Sequence, residues 1–327
     1  MRNSGFRSAL AHRFSEFITF KRMGGVDAQG QTQLLVHFDR FLREVGFRGS
    51  WPTRDAVERY MASTAHLEPG SRANRFSVVR QFCCYFRQFE PRCYVPAPML
   101  QRGRRPSRLP HIYADREIKA LLKAAGGLPP AGSLRPKTFV TLFGLLYATG
   151  LRCGEAFAFN FADVNLQENL LYVRKGKFGK SRWVPISHAT SLALGRYIKD
   201  RSRVAPAAAE LPLFITTTGR RLYRTNAHLA FRQVLRRCGL RGGKGSPGPR
   251  MHDMRHSFAC KRLLTWYREK RDVNGLLPAL ATYLGHVKFT STQVYLRATA
   301  ELLKEANERF LKNFRQHVLE KKGEERC

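Results

Sequence analysis

Arginine, lysine, histidine and tyrosine side chains that could act on a phosphate ester occur in four separate stretches of this chain. The first stretch, ATGLRCGEAFAF, places Arg152 three residues before Glu155 at the start of a predicted helix. The second, RKGKFGKSRWVP, carries Lys177 and Lys180 beside a hairpin turn that could enter a nucleic-acid groove. Taken alone, the first also fits a surface arginine or an arginine that pairs with Glu155, and the second a basic loop in water.

The third stretch, MHDMRHSFAC, joins a histidine to an arginine at helical spacing. His252 and Arg255 are three residues apart, so a helix would present both on one face. A guanidinium fork and a tunable imidazole donor together suit a phosphate oxyanion. Asp253 between them could cap the helix or pair with a base. The alternative interpretation is a histidine at a helix end beside a surface arginine.

The fourth stretch, LGHVKFTSTQVYLR, places His286 nine positions before Tyr295. A free phenol has a pKa near 10, so only about one molecule in a thousand is ionised at pH 7. A nucleophilic tyrosine therefore needs a nearby base or nearby positive charge. The alternative is an ordinary aromatic side chain in a core or an interface.

The charge balance indicates a polyanionic partner. Lys and Arg number 58 against 24 Asp and Glu, for a net charge of +34. Nucleic acid is the first candidate and an anionic membrane the second. The basic residues are dispersed through predicted folded segments, and no apolar run approaches the roughly 20 residues of a membrane span. The seven cysteines contain no C-x-x-C pair, which disfavours a zinc site and is typical of a reducing, cytoplasmic compartment.

The hydrophobic periodicity predicts two folded regions. Residues 1–100 read as a helical unit, with apolar helical faces at 32–45 and 76–89 and a further helix opening at Pro52 and Thr53. Residues 101–110 are a basic, proline-rich linker, favoured as a strap along a phosphate backbone over a solvated spacer. Residues 111–327 form the second unit.

The second unit combines helices with a few strands. ADREIKALLKAA predicts an amphipathic helix, and 139–149 a more buried one. NLLYVRKGKFGKSRWVPIS predicts a hairpin, and LPLFIT a further short strand. Helical patterns follow to the end, including the amphipathic ELLKEANERFLKNF. The predicted fold class is mainly α with a small antiparallel β-sheet.

The joint order of the four stretches is more specific than any one of them. Through TGLRCGE, GKFGKSRWVP, HDMRHSFA and LGHVKFTSTQVY, the chain resembles the tyrosine recombinases, the phage-integrase class of site-specific DNA recombinases, over most of 110–310. The resemblance implies a two-domain, C-shaped DNA clamp: a helical, SAM-like core-binding domain and an α+β catalytic domain. WYREKRDVNGLLPALATYLGH is similar to transposon-associated members, including the recombinase-in-trio type. Its extra length could displace His286 from Arg255.

The resemblance also implies a role for each site residue. Arg152 and Arg255 would hold the non-bridging oxygens of the scissile phosphate, where preorganised positive charge opposes the charge of the transition state. His252 and His286 would hydrogen-bond that phosphate and assist proton transfer.

The remaining roles concern the oxygen that leaves the phosphorus and the oxygen that attacks it. Lys177 would protonate the leaving 5′ oxygen, with Lys180 as the rival lysine, and Tyr295 would be the nucleophile that forms a 3′-phosphotyrosyl bond. This bond conserves the energy of the phosphodiester, so rejoining would need no ATP. The resemblance likewise implies no metal and no cofactor. Strand exchange would pass through a Holliday junction.

The implied partner is double-stranded DNA, bound by a homotetramer on two DNA sites, with sister recombinases as further partners and no membrane. In this family C-terminal segments dock on a neighbouring subunit; the alternative for ELLKEANERFLKNF is packing within its own domain. The implied location is the bacterial cytoplasm, at the nucleoid. Two other functions stay open: a type IB topoisomerase-like enzyme, and a non-catalytic DNA-binding protein of the same fold.

Overall fold

A computed structural model gives the architecture of most of the chain. It describes residues 5–26, 28–98, 109–174, 181–241, 248–286, and 304, 307 and 308. The predicted linker, apart from residues 109 and 110, and nearly all of the predicted C-terminal helix therefore lie outside the described residues.

The described residues are mostly helical, with one three-stranded antiparallel sheet. This confirms the predicted fold class of a mainly α protein with a small antiparallel sheet. The chain divides into two compact units, Met1–Arg108 and Leu109–Cys327. Within the described ranges, no helix is both long enough and apolar enough to cross a membrane.

The first unit buries aromatic side chains between four helices. Phe14 lies between two other rings, with its centroid 5.9 Å from Phe38 and 4.5 Å from Phe82. The Thr53 hydroxyl accepts a hydrogen bond from the Ala56 N–H and caps the third helix, as a threonine at this position is expected to do. The four helices are α1 (Ala11–Met23), α2 (Gln29–Glu44), α3 (Arg54–Ser63) and α4 (Pro69–Phe86).

The second unit is organised around one apolar helix, α6, which packs against α5, α8 and α10. Phe139, Leu142, Phe143 and Leu146 of α6 are all buried. A helix with apolar side chains around most of its circumference belongs in the centre of a domain. The helices of this unit are α5 (Asp115–Gly126), α6 (Leu134–Thr149), α7 (Cys153–Ala158), α8 (His188–Ser202), α9 (Arg224–Arg237), α10 (Asp253–Arg268) and α11 (Val273–Leu284).

The sheet has the order β1–β2–β3, from Val164–Asn165, Leu170–Val173 and Arg182–Pro185. Strands β2 and β3 are the two arms of the predicted hairpin, and they pair antiparallel. Val184 is buried, whereas Trp183 is largely exposed. Because side chains alternate between the faces of a strand, Arg182 shares the inner face with Val184. The hairpin register therefore directs Arg182 toward the protein interior.

The strand predicted at 211–216 is wrong. This segment forms two isolated bridges, Asn160 with Pro212 and Ile215 with Arg221, and no regular strand. Pro212 has no N–H to donate to a ladder. From Leu213 through Ile215 every side chain is buried, so the short apolar run reflects core packing without the alternation of a half-buried strand.

Two helices of the second unit end at a glycine in the left-handed conformation. Helix α6 ends before Gly150, at φ 63°, and α11 ends before Gly285, at φ 68°. A left-handed residue after the last helical turn is a common way to end a helix, and glycine adopts this conformation without steric cost. Both turns lead directly into the stretches that carry candidate site residues.

Candidate active site

Arg152 begins the short helix α7 and is held there by Glu155. The Arg152 backbone N–H donates to Glu155 Oε2 at 3.0 Å, and its Nη1 donates to Oε1 of the same carboxylate at 2.9 Å. The carboxylate thus satisfies one free N–H at the helix start and fixes the guanidinium. The pairing of Arg152 with Glu155, which the sequence offered as an alternative to a site role, is present and involves a buried carboxylate. Arg152 also reaches helix α11, where its Nη2 donates to the Gly285 carbonyl at 2.7 Å.

Arg255 lies near the start of α10 and its side chain is almost fully buried. Its Nη1 donates to the carbonyl of Gly150 at 2.8 Å, and its Nη2 donates to the carbonyl of Leu284 at 2.6 Å. One guanidinium therefore connects the end of α6 to the end of α11.

Arg182, the first residue of β3, is the third arginine of the site. Its Nη1 and Nη2 donate to the two oxygens of Glu155, each at 3.0 Å, and its Nε donates to the Tyr283 carbonyl at 2.8 Å. No role for this arginine is predicted from the sequence. The available signal was its alternation with Val184, which places both side chains on the inner face of the hairpin.

Three consecutive carbonyls at the end of α11 thus each accept from a different arginine. Helix ends leave carbonyls without partners inside the helix and carry partial negative charge, so guanidinium groups are favourable there. The donor–acceptor pairs are Arg182 to Tyr283, Arg255 to Leu284, and Arg152 to Gly285.

Two of the three arginines, Arg152 and Arg182, pair with one carboxylate, that of Glu155. Burial opposes ionisation of Glu155, but the hydrogen bonds and charge of Arg182, with Arg152 adding to them, outweigh burial and hold its pKa below the ordinary value. Glu155 is therefore ionised at neutral pH. One negative charge against three positive charges leaves an excess that favours a bound anion.

The two candidate histidines are neutral at pH 7. Desolvation lowers the pKa of His252 to about 4, with the neighbouring His256 and Arg255 contributing further. The His252 and His256 rings meet edge to face, with centroids 5.1 Å apart. A neutral imidazole has one donor and one acceptor nitrogen, so it can both hydrogen-bond an anion and accept a proton.

His286 follows the end of α11 directly. Desolvation, together with the positive charges of Arg255, Arg152 and Arg182, lowers its pKa to about 4. The long segment between Arg255 and His286 forms the rest of α10 and all of α11, and it returns the chain to Arg255 at Leu284. The extra length is taken up in these helices, so His286 lies beside the arginines.

Four of the six predicted site residues are therefore brought together, as Arg152, His252, Arg255 and His286. Asp253, between the histidine and arginine of α10, pairs with Arg250 rather than with a site histidine.

The other two predicted site residues, Lys177 and Tyr295, lie outside the described residues, as does the rival lysine Lys180. In the part of the chain that is described, no group of three or more His, Cys, Asp or Glu side chains is arranged to hold a metal ion.

Comparison with known proteins identifies the family. Residues 113–301 match the phage integrase family. A putative integrase/recombinase from Sinorhizobium fredii, y4rB, is 38% identical over 312 residues, covering 94% of this chain and 97% of that protein. The tyrosine recombinase XerA of Pyrococcus furiosus is 29% identical over 311 residues, covering 94% of this chain and 96% of that protein.

Solved structures share the fold. The Tn1549 transposon integrase in complex with circular intermediate DNA matches with a TM-score of 0.65 and 17% identity, over 91% of this chain and 98% of that one. XerH bound to its difH substrate before cleavage matches with a TM-score of 0.63 and 18% identity, over 92% of this chain and 84% of that one. Together with the sequence matches, these findings show that the chain belongs to the phage integrase family of tyrosine-type, site-specific DNA recombinases.

Proposed function

We propose that this protein cuts and rejoins DNA through a 3′-phosphotyrosyl bond to Tyr295, exchanges strands through a Holliday junction, and mobilises a genetic element. The observation that carries this proposal is the convergence of Arg152, Arg255, His252 and His286 at the end of α11. One buried and one partly buried guanidinium, those of Arg255 and Arg152, beside neutral imidazoles suit a phosphodiester, whose non-bridging oxygens gain charge as it is attacked.

The proposed cleavage step exchanges one phosphate ester for another. The Tyr295 oxygen forms a bond to phosphorus while the bond from phosphorus to the 5′ oxygen breaks. A neutral imidazole of His252 or His286 takes the phenol proton, and the Lys177 ammonium gives a proton to the leaving 5′ oxygen. Arg152 and Arg255 offset the charge on the non-bridging oxygens; single cations of this kind contribute about a thousandfold in phosphoryl-transfer enzymes. Rejoining is the reverse of these steps.

Double-stranded DNA is the proposed partner, in keeping with the net charge of +34. Affinity should fall steeply with salt, by about 0.9 in log K per unit of log salt for each phosphate neutralised. We propose a homotetramer on two DNA sites, open to sister recombinases, acting at the nucleoid in the bacterial cytoplasm. The transposon integrase among the matched structures supports the mobile-element role.

Covalent trapping tests the proposal directly. Nicked DNA duplexes that carry the ends of the proposed genetic element are incubated with the protein in the presence of a metal chelator. The products are then resolved on denaturing gels. The wild type is expected to form a protein–DNA adduct whose labelled peptide contains Tyr295, and Tyr295→Phe is expected to form none. Tyr223→Phe, which changes an exposed tyrosine outside the site, serves as the matched control and should retain the adduct.

Other results would favour the alternatives. Tight, specific binding without any adduct would support a non-catalytic DNA-binding protein. Relaxation of supercoiled DNA of any sequence by the monomer would support a type IB topoisomerase-like enzyme. An adduct that persists in Tyr295→Phe would place the nucleophile on another residue.

A further inference from the structure

We propose that Arg182 is a positioning residue for the cleavage reaction: it fixes the end of α11, and with it His286, against the Arg152–Glu155 pair. This inference rests on the proposed function. It assigns a task to a side chain that belongs to the hairpin strand β3 and holds elements from two other parts of the sequence.

The contacts of Arg182 are directed at protein groups. All three of its guanidinium nitrogens donate within the protein, two to Glu155 and one to the Tyr283 carbonyl. The side chain is 13% exposed and the Glu155 side chain 6%, so this ion pair is shielded from water. A planar, two-point contact between guanidinium and carboxylate fixes orientation as well as distance. Arg182 therefore acts on the site through the groups that it holds.

The other end of the network contacts the candidate phosphate site. Glu155 receives Arg182 on both oxygens and Arg152 on Oε1, so the carboxylate transmits the position of β3 to Arg152. The Tyr283 carbonyl lies three residues before His286 and adjoins the carbonyl bound by Arg255. A displacement of Arg182 would consequently disturb Arg152 on one side and His286 on the other.

Gly285 shows how closely this guanidinium lies against the helix end. A Cβ atom added at Gly285 would lie 2.7 Å from Arg182 Nη1 and 2.9 Å from its Cζ. These distances are too short for a Cβ atom, so only a glycine at this position allows the Arg182 guanidinium to lie so close. The same glycine supplies the left-handed turn, at φ 68°, that leads the chain into His286.

Arg182→Lys is the central test because it keeps the charge and removes the fork. A lysine ammonium is a point charge that cannot engage both Glu155 oxygens and the carbonyl in this planar geometry. Misplacement of catalytic groups by about 1 Å can cost roughly a hundredfold in rate. We expect adduct formation in a single turnover to slow by about tenfold to a hundredfold. Affinity for the intact duplex should stay within about twofold, since Arg182 makes no proposed DNA contact.

Arg174→Lys is the matched control. Arg174 follows β2 on the other arm of the hairpin and also pairs with a buried carboxylate, that of Asp163. The change there is chemically identical, but it lies outside the network at the end of α11. Adduct formation in Arg174→Lys should match the wild type. An equal slowing in both variants would overturn the proposal, because it would reflect general loosening of the hairpin.

A spectroscopic measurement separates positioning from loss of stability. In protein with ¹⁵N-labelled histidine, the His286 imidazole should titrate at higher pH in Arg182→Lys, since a loosened helix end admits water. The His252 titration should not move. If the His286 titration and the cleavage rate both stay unchanged in the folded variant, Arg182 has no positioning role.

Gly285→Ala provides a second route should Arg182→Lys fail to fold. Its Cβ would displace the Arg182 guanidinium without removing any side chain of the network. We expect the same pattern of slower cleavage with unchanged affinity, and wild-type cleavage in this variant would count against the proposal. The wild type separates the proposed function from the proposed role of Arg182. If the wild type forms no adduct, the proposed function fails. If the wild type and Arg182→Lys form the adduct at the same rate, only the role of Arg182 is refuted.

Discussion

The ends of α6 and α11 have the same backbone conformation but different surroundings. Both helices stop at a left-handed glycine, and at each end a carbonyl accepts a hydrogen bond from Arg255. At Gly150 the surroundings are apolar: an added Cβ would lie 2.6 Å from the Phe258 ring and 3.0 Å from the Leu284 side chain. At Gly285 the neighbour is a guanidinium, that of Arg182.

This difference predicts a structural role for the turn at Gly150 and a role in the proposed reaction for the turn at Gly285. The α6 end is held by apolar packing around Gly150 and by a single arginine, Arg255, on the Gly150 carbonyl. The α11 end collects three arginines on three carbonyls, so it combines the helix terminus with the positive charge that a phosphate site needs. Changes at the first end should mainly lower the free energy of unfolding, whereas changes at the second should mainly lower the cleavage rate.

Arg255→Lys should have the largest effect, because Arg255 belongs to both ends. A lysine cannot bridge the Gly150 and Leu284 carbonyls, and buried polar groups left without partners are costly. We expect a loss of about 2 to 4 kcal/mol in the free energy of unfolding. Adduct formation should fall by about a thousandfold. Chemical denaturation and the trapping assay measure the two quantities.

Arg262→Lys, on the exposed side of the same helix, is the control for this prediction, and its free energy of unfolding should change by less than about 0.5 kcal/mol. If Arg255→Lys unfolds with wild-type stability, the two helix ends are not joined through this side chain.

The paired substitutions Gly150→Ala and Gly285→Ala test the comparison itself. Both place a side chain at positive φ, at a cost of about 1 to 2 kcal/mol. At Gly150 the clash is with a packed ring, which adds about 1 to 3 kcal/mol. At Gly285 the obstructing group is the end of a long side chain that can move away. Gly150→Ala should therefore be less stable, and Gly285→Ala should lose more cleavage for each kcal/mol of stability lost.

Unfolding in these variants can be followed by tryptophan fluorescence in a Trp51→Phe background, so that Trp183 and Trp266 report on the second unit alone. If Gly150→Ala and Gly285→Ala lose the same cleavage rate for each kcal/mol of unfolding free energy lost, the two helix ends do not differ in function.

Sequence patterns predicted the local parts of these two ends but not their connection. Helix periodicity and the hairpin are local signals, and each corresponds to an observed element. The bridge from Arg182 to Tyr283 joins residues 101 positions apart, and no local period encodes such a contact. Similarly, 211–216 read as a strand because a short buried run does not distinguish a strand from irregular core packing.

The candidate site was predictable to the extent that its residue order is characteristic. Arg152, His252, Arg255 and His286 could be named from their motifs, although the length of the segment before His286 left its position open. The structure brings these residues together because α11 ends beside Arg255. The pairing of Glu155 with two arginines depends on β3, which sequence spacing does not relate to α7.

The pH dependence of stability gives the smallest effect and concerns only the α11 end. Burial, and after it the neighbouring groups Arg255, Arg152, Arg182 and His256, lowers the folded pKa of His286 from the ordinary 6.5 to about 4. A depressed pKa means that the unfolded chain binds the proton more tightly, so the contribution to stability is full above pH 6.5 and is lost as the pH falls toward 4.

Allowing for the partial exposure of His286, the loss should be about 1 kcal/mol. His286→Gln removes the titrating group, so its stability should fall less than that of the wild type between pH 6.5 and pH 4.5. Glu155 titrates below its ordinary value, under this window, so it contributes little to the difference. Gly150→Ala should keep the wild-type slope, because the α6 end holds no titrating histidine. Parallel slopes in wild type and His286→Gln would mean that the imidazole is not held among the arginines, and the contrast between the two helix ends would then rest on backbone contacts alone.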